Sequence, residues 1–128
     1  MNKDNLENQK EYMVSVGERP WGHYVVLANE IDFKVKKVII NPSEKLSLQR
    51  HNLREEHWFI QKGKAIVSSA GQDQIMEAGD SIDIPRNTIH RISNYGQDTL
   101  VFIEIQTGDY FGEDDIERVD DDYGRKSL

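Results

Sequence analysis

Four histidines stand in this 128-residue chain. Three of them fall in two short stretches that also carry the amide and carboxylates a metal ion would take. The first stretch, residues 46–63, reads LSLQRHNLREEHWFIQKG and packs Gln49, His51, Glu55, Glu56 and His57 into nine positions. The second, residues 79–94, reads GDSIDIPRNTIHRISN and sets His90 behind Pro85 and Asn87. Along a strand, side chains two residues apart share a face. Gln49 and His51 therefore face one way, joined by Leu53 if the strand runs that far, while Arg50 and Asn52 face the other. Glu56 brings a carboxylate from the next strand, and His90 a second imidazole from a distant one. His57 alternates away from Glu56, toward the opposite side of the sheet. A lone strand histidine is more often a surface or hydrogen-bonded residue than a ligand. Three in two spaced motifs point to one divalent metal, and an O/N donor set of this kind suits zinc, iron, manganese, nickel or cobalt alike.

Positioning such groups requires many short strands, and the chain supplies them. Strand patterns at residues 24–27, 33–36, 56–60, 65–67, 74–76, 81–84, 89–92 and 100–105 are separated by turn signals such as Asn41-Pro42-Ser43, Lys62-Gly63, Gly79-Asp80 and Asn94-Tyr95-Gly96. About nine brief strands without a helix before residue 109 argue for a barrel or sandwich. The tail differs. Ile116, Val119 and Tyr123 keep the spacing of one helical face, with Glu113, Asp114 and Asp115 in a first turn and Gly124 as a stop, which predicts a short helix packed on the barrel. Residues 1–12 are polar and aperiodic, a flexible arm by expectation.

Bulk properties narrow the function classes. The length suits one domain. With no cysteine, disulfides, thiolate metal sites and cysteine nucleophiles are excluded. No apolar run approaches the roughly 18 residues of a membrane span, and residues 1–12 lack a signal-peptide core, so a cytoplasmic protein without a membrane partner is expected. The net charge of −7 sits at the ends. Residues 19–108 carry 11 basic and 11 acidic side chains. That neutral body tolerates an anionic ligand, and the absence of a clear basic stripe argues against nucleic acid.

The spacing of Gly79, Pro85, Asn87, His90 and Asn94 resembles the second motif of the cupin superfamily, with Asn where Gly is usual. Asn tolerates left-handed backbone better than other side chains. His51, Glu56 and Gly63 resemble the first motif. The segments RPWGHYVVL, FKVKKVIINP, LSLQRH, EEHW, IPRNTIHRISN and IEIQTGDYFGEDDIERVDDDYGR together resemble, over residues 17–125, the cupin domain of type II mannose-6-phosphate isomerases. That domain usually forms the C-terminal part of bifunctional enzymes with mannose-1-phosphate guanylyltransferase. The resemblance implies an all-β, single-domain cupin, a double-stranded β-helix or jelly-roll barrel, over residues 17–128. It would follow a flexible arm at 1–16, end in a short helix or extended tail, and stand alone beside a separately encoded guanylyltransferase. It further implies that Gln49, His51, Glu56 and His90 hold one divalent metal ion, zinc by preference. Relatives commonly carry a run of histidines where this chain has Asn52-Leu53, so Leu53 is expected at a ligand position that Gln49 would fill.

The implied activity is metal-dependent isomerisation of mannose 6-phosphate and fructose 6-phosphate through an enediol, in GDP-mannose and polysaccharide biosynthesis. That chemistry needs a base, stabilisation of enediolate oxygens and cations that hold the phosphate. Glu104, in a strand apolar on both faces, is the candidate base, because burial raises a carboxylate pKa. The competing role is a structural ion pair. Arg54 and Arg91, each inside a motif, are the preferred phosphate contacts, with Arg19, Lys36 and Arg50 behind them. His57 joins the catalytic candidates through the resemblance. Trp21, Trp58, Tyr24 and Tyr110 would stack on a sugar or fill the core. Apolar residues on both strand faces also predict a homodimer paired through a sheet. Two other functions fit the residues: a non-catalytic sugar-phosphate or nucleotide-sugar binding module, and a metal-dependent oxygenase or other small-molecule cupin enzyme.

Overall fold

The computed structural model describes residues 15–120. They form β1 Val16–Arg19, β2 Gly22–Asn29, β3 Phe33–Ile40, β4 Leu48–His51, β5 Arg54–Lys62, β6 Lys64–Ser69, β7 Gln72–Glu77, β8 Ser81–Ile84, β9 His90–Asn94, β10 Leu100–Gly108 and β11 Ile116–Asp120. Six strands make one sheet in the order β1-β2-β3-β10-β5-β8, and five make a second in the order β11-β4-β9-β6-β7. All strand pairs are antiparallel. This is the all-β cupin barrel, and each strand expected from the turn signals is present.

Strand register sorts the barrel interior into layers. Across the larger sheet, Ile40 stands beside Leu100, and Val38 beside Phe102 and Ile60. These join Trp58, Ala65, Val67, Met76, Ile84 and Ile92 in one buried apolar cluster. The next interior rows are polar: Lys36–Glu104–Trp58, then Gln106–Glu56–Ile84. In the smaller sheet Val67 pairs with Ile92, and one step on Ser69 and Gln49 flank His90. The inward alternation of β3, β5, β9 and β10 thus changes chemistry along each strand, from hydrocarbon at one end of the barrel to titratable groups at the other.

Two backbone details fix the ends. Gly22 closes the β1–β2 hairpin at φ +151, and a Cβ there would lie 2.1 Å from the Ile39 carbonyl oxygen. Only glycine lets β2 approach β3 so closely. Asn87 adopts φ 62, the left-handed conformation its residue type tolerates. Its N–H donates to the His51 carbonyl at 2.7 Å, tying the second motif to the first.

The tail departs from expectation. Residues 113–115 make a single three-residue 3-10 turn, and β11 follows in place of a helix. β11 pairs with β4, Ile116 opposite His51 and Arg118 opposite Gln49. Without it β4 would be a bare edge with unpaired N–H and C=O groups, whereas so short an isolated helix gains little. Tyr123 and Gly124 lie outside the described residues, as does most of the expected arm. β1 begins at Val16, which pairs with Val25.

Candidate metal centre and cavity

His51 ends β4, Glu56 lies in β5 and His90 begins β9. Their ligand atoms all lie within 4.8 Å of one another, and all three residues are buried. Each is held by neighbours. Trp58, also buried, donates its indole N–H to Glu56 Oε1 at 2.8 Å, and Arg54 Nε donates to Oε2 at 2.8 Å. His90 Nδ1 lies 2.8 Å from the Thr88 carbonyl and must carry the proton that bonds to it. That assignment leaves Nε2 as a lone pair, and this atom is buried without a partner among the described residues. A buried orphan acceptor, with its ring oriented by a carbonyl on the far nitrogen, is the arrangement of a metal-ligating histidine. The His51 and His90 rings lie 4.9 Å apart. Gln49, paired with His90 across the strands, is buried too, and its Oε1 receives Ser47 Oγ at 3.4 Å.

Burial, then the Arg54 and His90 charges, brings the His51 pKa down to about 3, and burial lowers that of His90. Both imidazoles are neutral near pH 7, the state that binds a cation. Arg54 Nη2 lies 3.0 Å from His51 Nε2, so Nε2 accepts and Nδ1 carries the proton. Whichever nitrogen of His51 took a metal, this hydrogen bond would have to break: a ligating Nε2 has no lone pair left, and a ligating Nδ1 sends the proton to Nε2.

Beside this cluster lies a cavity of about 60 Å³, lined by Arg19, Trp21, Tyr24, Lys36, Gln49, Arg54, Glu104, Glu113 and Arg118 among others. Lys36 is buried between Glu104, its register partner, and Glu113, whose Oε1 is 2.8 Å from Nζ. Burial works to lower the Lys36 pKa, but Glu104 and Glu113 outweigh it and hold the ammonium above the ordinary lysine value. Glu104 is pushed up to about 7, first by burial and then by the neighbouring Glu56 carboxylate. Gln106 Nε2 donates to Glu104 Oε2 at 3.0 Å and orients it.

Gln49, His51, Glu56, His90, Arg54, Glu104, Lys36, Arg19 and Trp21 thus converge, but three expectations are corrected. His57 sits on the outer face of β5, half-buried, with Nδ1 2.6 Å from Asp83. Strand alternation separates it from Glu56 and removes it from this site. Arg91 points out of β9 and donates to the Leu46 carbonyl at 2.8 Å, away from the cavity that Arg54, Lys36 and Arg19 line. Leu53 is 42% exposed. β4 stops at His51, so the alternation that would have aimed residue 53 inward ends before it. The residues missed were Gln106 and Glu113. Gln106 was legible two places beyond Glu104 on the same face; Glu113 was hidden by reading the tail as a helix.

Residues 4–121 match the family model described as mannose-6-phosphate isomerase C-terminal. The chain belongs to this family. Among curated relatives, a mannose-1-phosphate guanylyltransferase of Sinorhizobium fredii is 44% identical over 104 residues, 81% of this chain and 20% of that protein. Alginate biosynthesis protein AlgA of Pseudomonas aeruginosa is 42% identical over 107 residues, 84% of this chain and 22% of that protein. The chain therefore spans about a fifth of the length of these relatives. Among solved structures, an RmlC-like cupin from Shewanella frigidimarina superposes with a TM-score of 0.67 at 15% identity, covering 78% of this chain and 86% of that one. At that identity the likeness speaks for the fold alone.

Proposed function

We propose that the protein interconverts mannose 6-phosphate and fructose 6-phosphate. The observation that carries this reading is a cavity lined by a buried carboxylate with its pKa near 7 and several cations, set beside a buried His-Glu-His cluster. His51, Glu56 and His90, with Gln49 alongside, would hold a divalent metal ion, zinc by preference. Bound there, the ion supplies Lewis-acid stabilisation for enediolate oxygens.

The chain's own side chains do the rest. Glu104, ionised in part near neutrality, takes the proton from the sugar carbon beside the carbonyl and delivers it to the carbonyl carbon, while the hydroxyl proton on the first carbon passes to the carbonyl oxygen. Gln106 fixes the carboxylate that makes this transfer. Lys36, Arg54 and Arg19 hold the phosphate, whose binding energy orients the sugar against Glu104. Trp21 and Tyr24 offer ring faces for the sugar's apolar side. Relatives named for alginate and xanthan biosynthesis support a place in GDP-mannose and polysaccharide formation. Those named mannose-1-phosphate guanylyltransferase support such an enzyme as functional partner. Cytoplasmic location fits that chemistry. The apolar outer face of the larger sheet supports a homodimer.

A coupled assay on metal-loaded protein tests the activity: fructose 6-phosphate forms from mannose 6-phosphate at a rate that chelation removes. Loaded protein that binds the sugar phosphate without turnover would instead be a binding module.

A further inference from the structure

The cavity has room for a few waters and nothing larger. At about 60 Å³ it falls well short of the roughly 300–1,000 Å³ typical of small-molecule sites. What closes it is the segment between β10 and β11. Glu113 lines it from this segment and Ile116 and Arg118 from the adjoining β11, together with Lys36, Arg54 and Glu104 of the barrel wall. The segment and β11 are tethered along their length: the Asp109 N–H donates to the Leu53 carbonyl at 2.9 Å and Arg54 Nη1 to the Phe111 carbonyl at 3.4 Å. Asp115 accepts the Leu53 N–H at 2.9 Å, and Glu117 meets Arg50 through two hydrogen bonds of 2.9 and 3.0 Å. The stretch that carries Glu113 is a lone 3-10 turn behind Gly112, without a side-chain cap and without a buried residue. Little apolar packing therefore holds it down.

Glu113 does one thing at the mouth: it puts a carboxylate on the buried ammonium of Lys36 at 2.8 Å. Lys36 also lies over the Tyr24 ring, 4.3 Å from its centroid. A buried ammonium needs an anion, and Glu113 is the exposed, detachable member of the pair, its side chain 40% accessible against 6% for Lys36. Glu104, the other carboxylate near Lys36, is fixed in β10.

We propose that Glu113 is a built-in stand-in for the ligand's anionic group: it occupies the Lys36 seat while the site is empty, and an incoming phosphate monoester displaces it and lifts the turn that closes the cavity. The proposal rests on the sugar-phosphate reading above and assigns where that ligand's charge sits and what it must expel. Glu113 thus sets a threshold: ligands without a strong anion cannot displace it, and the cavity stays shut to neutral sugars.

The test is calorimetric titration of the full chain with mannose 6-phosphate and with mannose. The proteins are wild type, Glu113→Gln, Glu113→Asp and, as a check on the seat, Lys36→Met. Removing the internal competitor should tighten mannose 6-phosphate binding by about fivefold in Glu113→Gln, the equivalent of losing one modest ion pair. Glu113→Asp should return toward wild type. Lys36→Met should lose the phosphate-dependent part of the affinity. If Lys36→Met does not fold, hydrogen exchange of wild-type Leu53 replaces it: the amide bonded to Asp115 should exchange faster with ligand bound. Weaker or unchanged binding by Glu113→Gln would overturn the proposal, as would slower Leu53 exchange on binding, or absence of mannose 6-phosphate binding by wild type and Glu113→Gln alike. Turnover is measured separately. Tighter binding by Glu113→Gln without isomerisation would sink the isomerase reading and leave the stand-in intact. Isomerisation by wild type with no gain in Glu113→Gln would do the reverse.

Discussion

The two faces of the larger sheet depart from the usual arrangement at one end of the barrel. An exposed face of an antiparallel sheet is ordinarily polar and the buried one apolar. Here the buried face carries Lys36, Arg54, Glu56, Glu104 and Gln106 at one end. The outer rows run Val25–Lys37–Ile103–Phe59 and Val35–Ile105–His57–Asp83, with Phe59 41% exposed. Both rows belong to the same strands, so propensity does not separate them. Buried charge without full compensation costs stability, and its retention beside an orphaned His90 nitrogen is what the proposed ligand site would require. Apolar side chains facing out, among Lys37, His57 and Asp83, are what the proposed homodimer would cover. The inner face carries the ligand site proposed above, and the outer face the proposed dimer contact.

Substitutions can break that division from either side, and the largest effect is expected inside. Glu104→Gln keeps the shape and the Gln106 contact but removes the base, so kcat should fall by about 10²–10⁴ with little change in mannose 6-phosphate affinity. An unchanged kcat would pass the role of base to another group. Outside, Ile103→Asp on the central outer row should convert a dimer to monomers in sedimentation at micromolar protein, with the metal cluster intact.

A smaller effect concerns pH. Burial works to raise the Glu113 pKa, but the Lys36 charge and hydrogen bond outweigh it and hold the carboxyl below the ordinary value. A depressed carboxylate contributes stability above its unfolded pKa, about 4.3, and loses it as pH falls through the folded value. The stability advantage of wild type over Glu113→Gln, from urea melts, should therefore be present at neutrality and close below about pH 4. A gap that widened on acidification would contradict the ion pair. The smallest effect is expected from His57→Ala, which should leave metal content and turnover within about twofold, because β5 turns that ring away from Glu56.

Legibility in the sequence followed the range of the interactions. Alternation is local, so β3, β5 and β10, the inward Gln49, His51 and Glu104, and the outward His57 could all be placed from residue order. Leu53 and the tail could not. Whether β4 extends to residue 53 depends on where its neighbours stop supporting it. The fate of residues 113–120 depends on β4 needing a partner some 65 residues away, as Ile116 opposite His51 shows. Arg91 lay between these cases: its motif drew it toward the ligand, whereas the phase set by inward His90 already turned it outward.

The central claim is that the polar half of the barrel interior is a metal site, and metal content tests it most directly. Wild-type protein loaded with zinc and desalted should retain about one equivalent, as a preformed buried His-Glu-His set would hold it. His51→Ala treated identically should retain almost none. If both proteins keep equally little metal, the inner polar face has another purpose and the isomerase reading falls with it.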